Sequence, residues 1–182
     1  MSDYITTFGK VHFTPLKPKK EQIRIEDIAH SLSLLTRANG HFPEFYSVGQ
    51  HCIHCYEEAK ARGLSKRLVL ACLLHDASEA YLADITRPVK KNLPKYLVIE
   101  KILQDAIYEH FLGSVLTEEE KKIVADVDDT LLYYEFYHYM GEKLLDHEPR
   151  IFSKPVFKFV PFAQVEQKYI EFSQIKQNSI TN

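Results

Sequence analysis

"SKRLVLACLLHDASEAYLAD" (residues 65–84) is the stretch on which the reading of this chain turns. Its first half carries seven apolar residues in a row, "LVLACLL", and reads as a helix in the inside of a protein. Ser65 suits the N-cap of that helix. The apolar run then meets His75, Asp76 and, three residues later, Glu79. Ionisable side chains are rarely fully buried unless they are paired or bind metal, because desolvating them costs several kcal/mol or more. At 100° per residue His75 and Glu79 share a helix face one turn apart, and Asp76 is one step round, so the three can converge. A lone histidine is ordinarily a satisfied core residue or half of a salt bridge. For His-Asp-x-x-Glu closing an apolar run, the functional reading is favoured.

Working outward, the flanking segments are also helical. "IEDIAHSLSLLTR" (25–37) has acids in its first turn and Arg37 in its last, as the helix dipole prefers, and "ANGHFPE" (38–44) breaks it. "YSVGQHCIHCYEEAKAR" (46–62) is a helix stopped by Gly63, and "ITRPVKKNLP" (85–94) is a basic loop. A further helix runs from about Lys95 to Leu112, ended by Gly113. In 116–145 the spacing of Thr117 and Glu120 is that of a capping box, so a long helix is expected, broken near Gly141. Residues 151–162 alternate and hold two prolines, so they are expected to be extended, and a last helix spans about Ala163 to Lys176. The spacing predicts an all-α bundle of five to seven helices, with its core over 25–145. A short extended arm or small hairpin occupies 1–24, and an extended segment and helix fill 150–178.

A chain of 182 residues with 45% hydrophobic residues most simply forms one domain with a sizeable core. A net charge of −2 offers no basic surplus for nucleic acid. No apolar run approaches the roughly 20 residues of a membrane span, and "MSDYITTFGK" has no apolar core of a signal peptide. Three cysteines suit a reducing cytosol, so a cytoplasmic location is expected, with a homodimer left open.

Divalent metals commonly need three or four protein ligands. In 46–62 the apolar stripe runs through Val48, Cys52, Cys55 and Ala59; His51 borders it, whereas His54 points away. Cys52-x-x-Cys55 has zinc-ligand spacing but lacks a second knuckle, so small core residues are the favoured reading. In "VADVDDTLLYYE" the inward stripe runs through Val124, Val127, Leu131 and Glu135. Asp128 lies within it, and Asp126 and Asp129 fall on the opposite side as solvated charges. An acid in an apolar stripe needs a cation. His51, His75, Asp76 and Asp128 therefore form a candidate quartet for one divalent transition metal: Mn, Co, Fe, Ni or Zn. Such an ion lowers the pKa of water and polarises a phosphoryl oxygen.

The ordered set "YSVGQHC", "LLHDASEAYLADITRPVK" and "DVDDTLLYYE" resembles the HD-domain metal-dependent phosphohydrolases, whose pattern is H…HD…D on an all-α bundle. The resemblance covers roughly residues 25–145 and comes nearest the small bacterial and phage group that includes the 5′-deoxynucleotidases. It implies His51, His75, Asp76 and Asp128 as metal ligands, Glu79 as the residue that positions water, and Asp84 as an acid near the leaving group. It implies Arg37 as a phosphate contact, with Arg87 and Lys90 of the basic loop beside it. In that group a tryptophan follows the arginine. Here the residue is Ala38, in a chain without tryptophan, which implies weaker selection against ribose. The expected substrate is a small phosphorylated molecule, a nucleoside 5′-monophosphate. An alarmone or dNTP hydrolase and a non-catalytic nucleotide-binding protein are the alternatives. Glu79 and Asp84 beside the ligands argue against the last, which has no need of them.

Overall fold

Side-chain caps start the three helices that carry His51, lead into His75 and Asp76, and carry Asp128. Ser47 accepts from Gln50 N at the head of α2 (Val48–Ala61), and Ser65 accepts from Leu68 N at the head of α3 (Lys66–Leu74). Thr117 and Glu120 close a reciprocal capping box at the head of α7 (Glu118–Met140). Each cap satisfies a backbone N–H that the helix itself leaves orphaned. At the other ends, Gly113 and Gly141 take left-handed caps that a Cβ would strain.

The computed structural model describes residues 3–174, so the expected continuation of the last helix over 175–178 lies outside the described residues. The fold is an all-α bundle whose only sheet among those residues is a two-stranded hairpin, β1 (Ile5–Thr6) and β2 (His12–Phe13). The other helices are α1 (Ile25–Leu34), α4 (Glu79–Leu82), α5 (Arg87–Lys90), α6 (Pro94–Leu112) and α8 (Phe162–Gln174). α2 packs on α1, α3, α7 and α8, while α3 packs on α2, α6, α7 and α8. The apolar helix read from sequence as interior therefore shares the middle of the bundle with α2. None of the helices described is long and apolar enough to cross a membrane.

Several expectations change. The helix expected over 65–84 is two helices. α3 ends at Leu74, and His75–Ser78 pass through tight turns, with Ala77 N bonded to Leu74 O and Glu79 N to Asp76 O, both at 3.0 Å. Residue-to-residue rotation in such turns is nearer 120° than 100°. The break is stabilised from outside: Gln104 of α6 donates to Leu74 O at 2.8 Å and accepts from Ser78 N at 3.1 Å. α1 ends at Leu34, three residues early, so Arg37 sits in a separate 3-10 turn. There Arg37 N donates to Tyr46 O at 2.8 Å, and Thr36 and Ser47 form a bridge that pinches the loop between them.

The basic loop holds the single turn α5. Just before it, Ala83 adopts φ 75° and ψ 157°, a region nearly reserved for glycine. The N-terminal arm is docked as a hairpin: Phe13 is fully buried and stacks on Tyr81 at 4.0 Å. Buried Asp27 ties the turn by accepting from Thr7 Oγ1 and Gly9 N. Residues 151–161 form no strand, and the buried carboxylate of Glu58 straps them down by accepting from Phe152 N and Ser153 N.

Candidate metal centre

His75 follows the last turn of α3, where its Nδ1 lies 2.8 Å from Cys72 O. A carbonyl only accepts, so Nδ1 carries the proton and Nε2 presents a lone pair. His51, in the second turn of α2, is fixed the same way: Nδ1 lies 2.5 Å from Glu135 Oε1, and a carboxylate accepts. The two Nε2 atoms face one another at 3.2 Å. Asp128 Oδ1 of α7 is 3.1 Å from His51 Nε2 and 3.7 Å from His75 Nε2. Asp76 Oδ2 is 3.3 Å from His75 Nε2 and 4.0 Å from His51 Nε2. Three of these five separations fall within the roughly 3.0 to 3.4 Å between neighbouring ligands of an ion bound at about 2.0–2.1 Å, and the other two are longer. In the neutral tautomers the facing lone pairs repel one another, so the arrangement suits a positive charge at their centre, a proton or a metal cation.

The structure thus brings together the four residues named from sequence as a metal quartet. Asp129 is half exposed and pairs with Arg87 at 2.6 Å, while Asp126 is exposed and pairs with Arg62. The cysteines of "CIHC" are buried in the core, as read from sequence, and there each has metal-ligating side chains beside it. Cys55 Sγ lies 3.4 Å from His51 Nε2, and the ligand atoms of Cys55, His51 and His75 form one close group. Cys52, His75 and Asp76 form another. The clusters of histidine, aspartate and cysteine can hold a metal ion. His54, expected to point away, is buried, because α2 is covered on every side.

Electrostatics follow from this crowding. Burial alone would raise the carboxyls of Asp128 and Asp76, but the imidazoles, joined at Asp76 by Arg37, hold both well below the usual range. Burial opposes charging of His51 and His75, yet the surrounding acids hold both above their ordinary value. Protons and a metal therefore compete for the same nitrogens.

Glu135 is the residue that the sequence reading passed over. Besides His51, its Oε1 accepts from Tyr46 OH at 2.9 Å, and its Oε2 lies 3.4 Å from Arg37 Nη2. The Tyr46 hydroxyl in turn accepts a hydrogen bond from His54 Nδ1 at 2.9 Å, because its own hydrogen is donated to Glu135. Such outer partners fix the tautomer and orientation of a ligating imidazole. The available signal was position: Glu135 stands seven residues after Asp128 in the same apolar stripe. Nothing local pointed to Tyr46.

A cavity of about 400 Å³ opens beside the cluster. Its lining combines the acids Asp76, Asp128, Glu79 and Asp84 with the bases Arg37, Arg87 and Lys90, and apolar residues including Phe42 and Phe136 complete it. The basic groups are partly engaged. Arg37 Nη1 is 3.3 Å from Asp76, Arg87 Nη2 is 2.9 Å from Asp128 Oδ2, and Lys90 Nζ lies between Glu100 (2.7 Å) and Glu79 (3.6 Å). Glu79 Oε2 is buried without a hydrogen-bond partner. Burial and the charges of Asp76 and Asp84 push the Glu79 carboxyl well up, and burial raises Asp84.

No family model matches the chain. Two relatives do. Uncharacterized protein YfdR of Escherichia coli K12 is 39% identical over 108 residues, which cover 59% of this chain and 58% of YfdR. Uncharacterized protein RCAP_rcc00048 of Rhodobacter capsulatus is 36% identical over 147 residues, 77% of this chain and 74% of that protein. With more than a third of its residues identical over about three quarters of both proteins, the chain belongs to the family of RCAP_rcc00048.

Proposed function

We propose that this chain is a metal-dependent phosphohydrolase of the HD type that releases phosphate from a nucleoside 5′-monophosphate. The observation that carries the reading is the pair of facing Nε2 atoms flanked by Asp76 and Asp128, two carboxylates that also line the adjoining cavity together with Arg37, Arg87 and Lys90. His51, His75, Asp76 and Asp128 would hold one divalent transition metal, Mn, Co, Fe, Ni or Zn. When bound, it supplies a lowered pKa to water and draws electron density from a phosphoryl oxygen.

The chain's own groups supply the rest. Arg37, with Arg87 and Lys90, takes the phosphate oxygens, for which a guanidinium fork is well shaped. Phe42, held by Tyr139 at 4.7 Å and Phe136 at 5.3 Å, offers a rigid aromatic face to the base. Glu79, whose raised pKa makes its ionised form a stronger base, takes a proton as water oxygen bonds to phosphorus. The ester P–O bond breaks, and Asp84 returns a proton to the departing 5′ oxygen. A cavity of about 400 Å³ lies toward the small end of ligand sites, which favours a monophosphate over a triphosphate. Ala38 leaves the sugar side without a large ring.

The test is a screen of nucleoside mono-, di- and triphosphates with each of the five metals, following phosphate and pyrophosphate separately. Phosphate from monophosphates is expected. Pyrophosphate or triphosphate from larger nucleotides, with monophosphates inert, would move the chain to another reaction. Tight nucleotide binding with no hydrolysis under any metal would make it a binding protein.

A further inference from the structure

We infer that the outer face of α6 is a two-fold contact surface on which a second copy of this chain lays its own α6 antiparallel. Of the long helices, α6 is among the most lightly covered: Leu103, Ile107 and Tyr108 are its buried residues. Directly opposite them, at 3.6-residue spacing, Lys95, Val98, Ile102, Asp105 and Glu109 form one stripe. Val98 is 59% exposed and Ile102 51%, a pair of branched apolar side chains one turn apart with nothing over them.

The order of charges in the stripe selects the occupant. The basic residue stands at the N-terminal end and the acids at the C-terminal end, against the helix dipole, so α6 alone is not helped by them. An antiparallel copy reverses that. With the two-fold axis at residue 100, Lys95 meets the partner's Asp105, Val98 meets the partner's Ile102, and each contact occurs twice. The stripe is self-complementary in both charge and shape of pattern, which a surface meant for an unrelated protein has no reason to be. Lys95 has no ion-pair partner among the described residues. Asp105 bonds Lys101 and Glu109 lies 2.6 Å from Lys20, both pairs exposed and therefore weak.

α6 spans about 28 Å at 1.5 Å per residue, so one helix pair gives a contact at the low end of specific interfaces. The dimer is therefore reversible and concentration-dependent. The opposite, inner side of the same helix braces the segment beside the cavity, since Tyr96 OH of α6 bonds Ala83 O and Lys90 of α5 bonds Glu100 of α6. The inference does not depend on the proposed reaction, and its test reads mass alone.

Sedimentation and light scattering from high-micromolar to nanomolar concentration should show a species of twice 21.2 kDa dissociating on dilution. Ile102→Glu should be monomeric throughout with unchanged circular dichroism, which exposure of the side chain permits. Lys95→Glu should weaken association tenfold or more, and Lys95→Glu with Asp105→Lys should restore it. A wild-type chain that is monomeric at every concentration overturns the inference and leaves the face to a different protein. So does a dimer untouched by Ile102→Glu, or a charge-swapped double variant no better than the single one.

Discussion

Glu135 Oε1 stands 2.5 Å from His51 Nδ1 and so decides which nitrogen of His51 faces the candidate metal. Replacing the acceptor with an amide that can also donate should let the ring turn. Glu135→Gln is expected to lose about 10- to 100-fold in metal affinity while keeping the helical content of the parent. Isothermal titration of the chelated chain with Co²⁺ checks this; equal affinity in the two chains would refute the orienting role.

Asp128 and Asp129 are neighbours in sequence with different fates, one facing His51 and one facing solvent. Elemental analysis of chain purified without chelator should give near one transition metal per chain. Asp128→Ala and Asp76→Ala should lose it, and Asp129→Ala should not. The opposite outcome at 128 and 129 would show the wrong aspartate on the metal.

Glu79 lines the cavity but has no place among the facing ligand atoms. Glu79→Gln should retain its metal and lose about 10²- to 10⁴-fold in kcat, with KM little changed. The raised carboxyl of Glu79 also places the acidic limb of the rate profile above the ordinary glutamate range. A variant with full turnover would remove Glu79 from the reaction.

His54 offers a test of linkage away from the ligands. Burial pushes its pKa down from 6.5 to about 4. Between those values the unfolded chain binds a proton that the folded chain refuses. Stability is therefore full above pH 6.5 and falls as pH drops toward 4, by on the order of 3 kcal/mol. His54→Gln keeps a donor for Tyr46 and cannot titrate, so its Tm should fall less steeply over that window. Parallel Tm curves for the two chains would contradict the buried neutral histidine.

Ala83 carries a glycine-like backbone immediately before Asp84. Strain of this kind costs about 1–3 kcal/mol, more than the ~0.5–1 kcal/mol of backbone entropy that glycine loses. Ala83→Gly is expected to raise the urea midpoint, and Ala83→Val to lower it. A destabilised glycine variant would mean that the conformation is not strained.

Helix positions, the all-α class and the inward side of α7 were readable because caps and 3.6-residue periodicity are local properties. So was the suspicion attached to His75, Asp76 and Asp128, since an ionisable group in an apolar stripe is costly wherever the helix packs. The same rule applied two turns on would have found Glu135. Other features belong to contacts between distant segments. The break at His75–Ser78 is made affordable by Gln104 from α6. His54 is inward because α8 and the 151–161 strap close the far side of α2, and Cys55, one turn from His51 on the same helix, meets His75 only when α2 packs on α3. Arg37 reaches the cluster through the Tyr46 pinch, and no helix carries it there. Sequence thus determined which faces must be buried and which charges would need partners there. Tertiary structure alone decided which partners they found, because a hydrogen bond between residues 84 apart depends on chain geometry that no local spacing encodes.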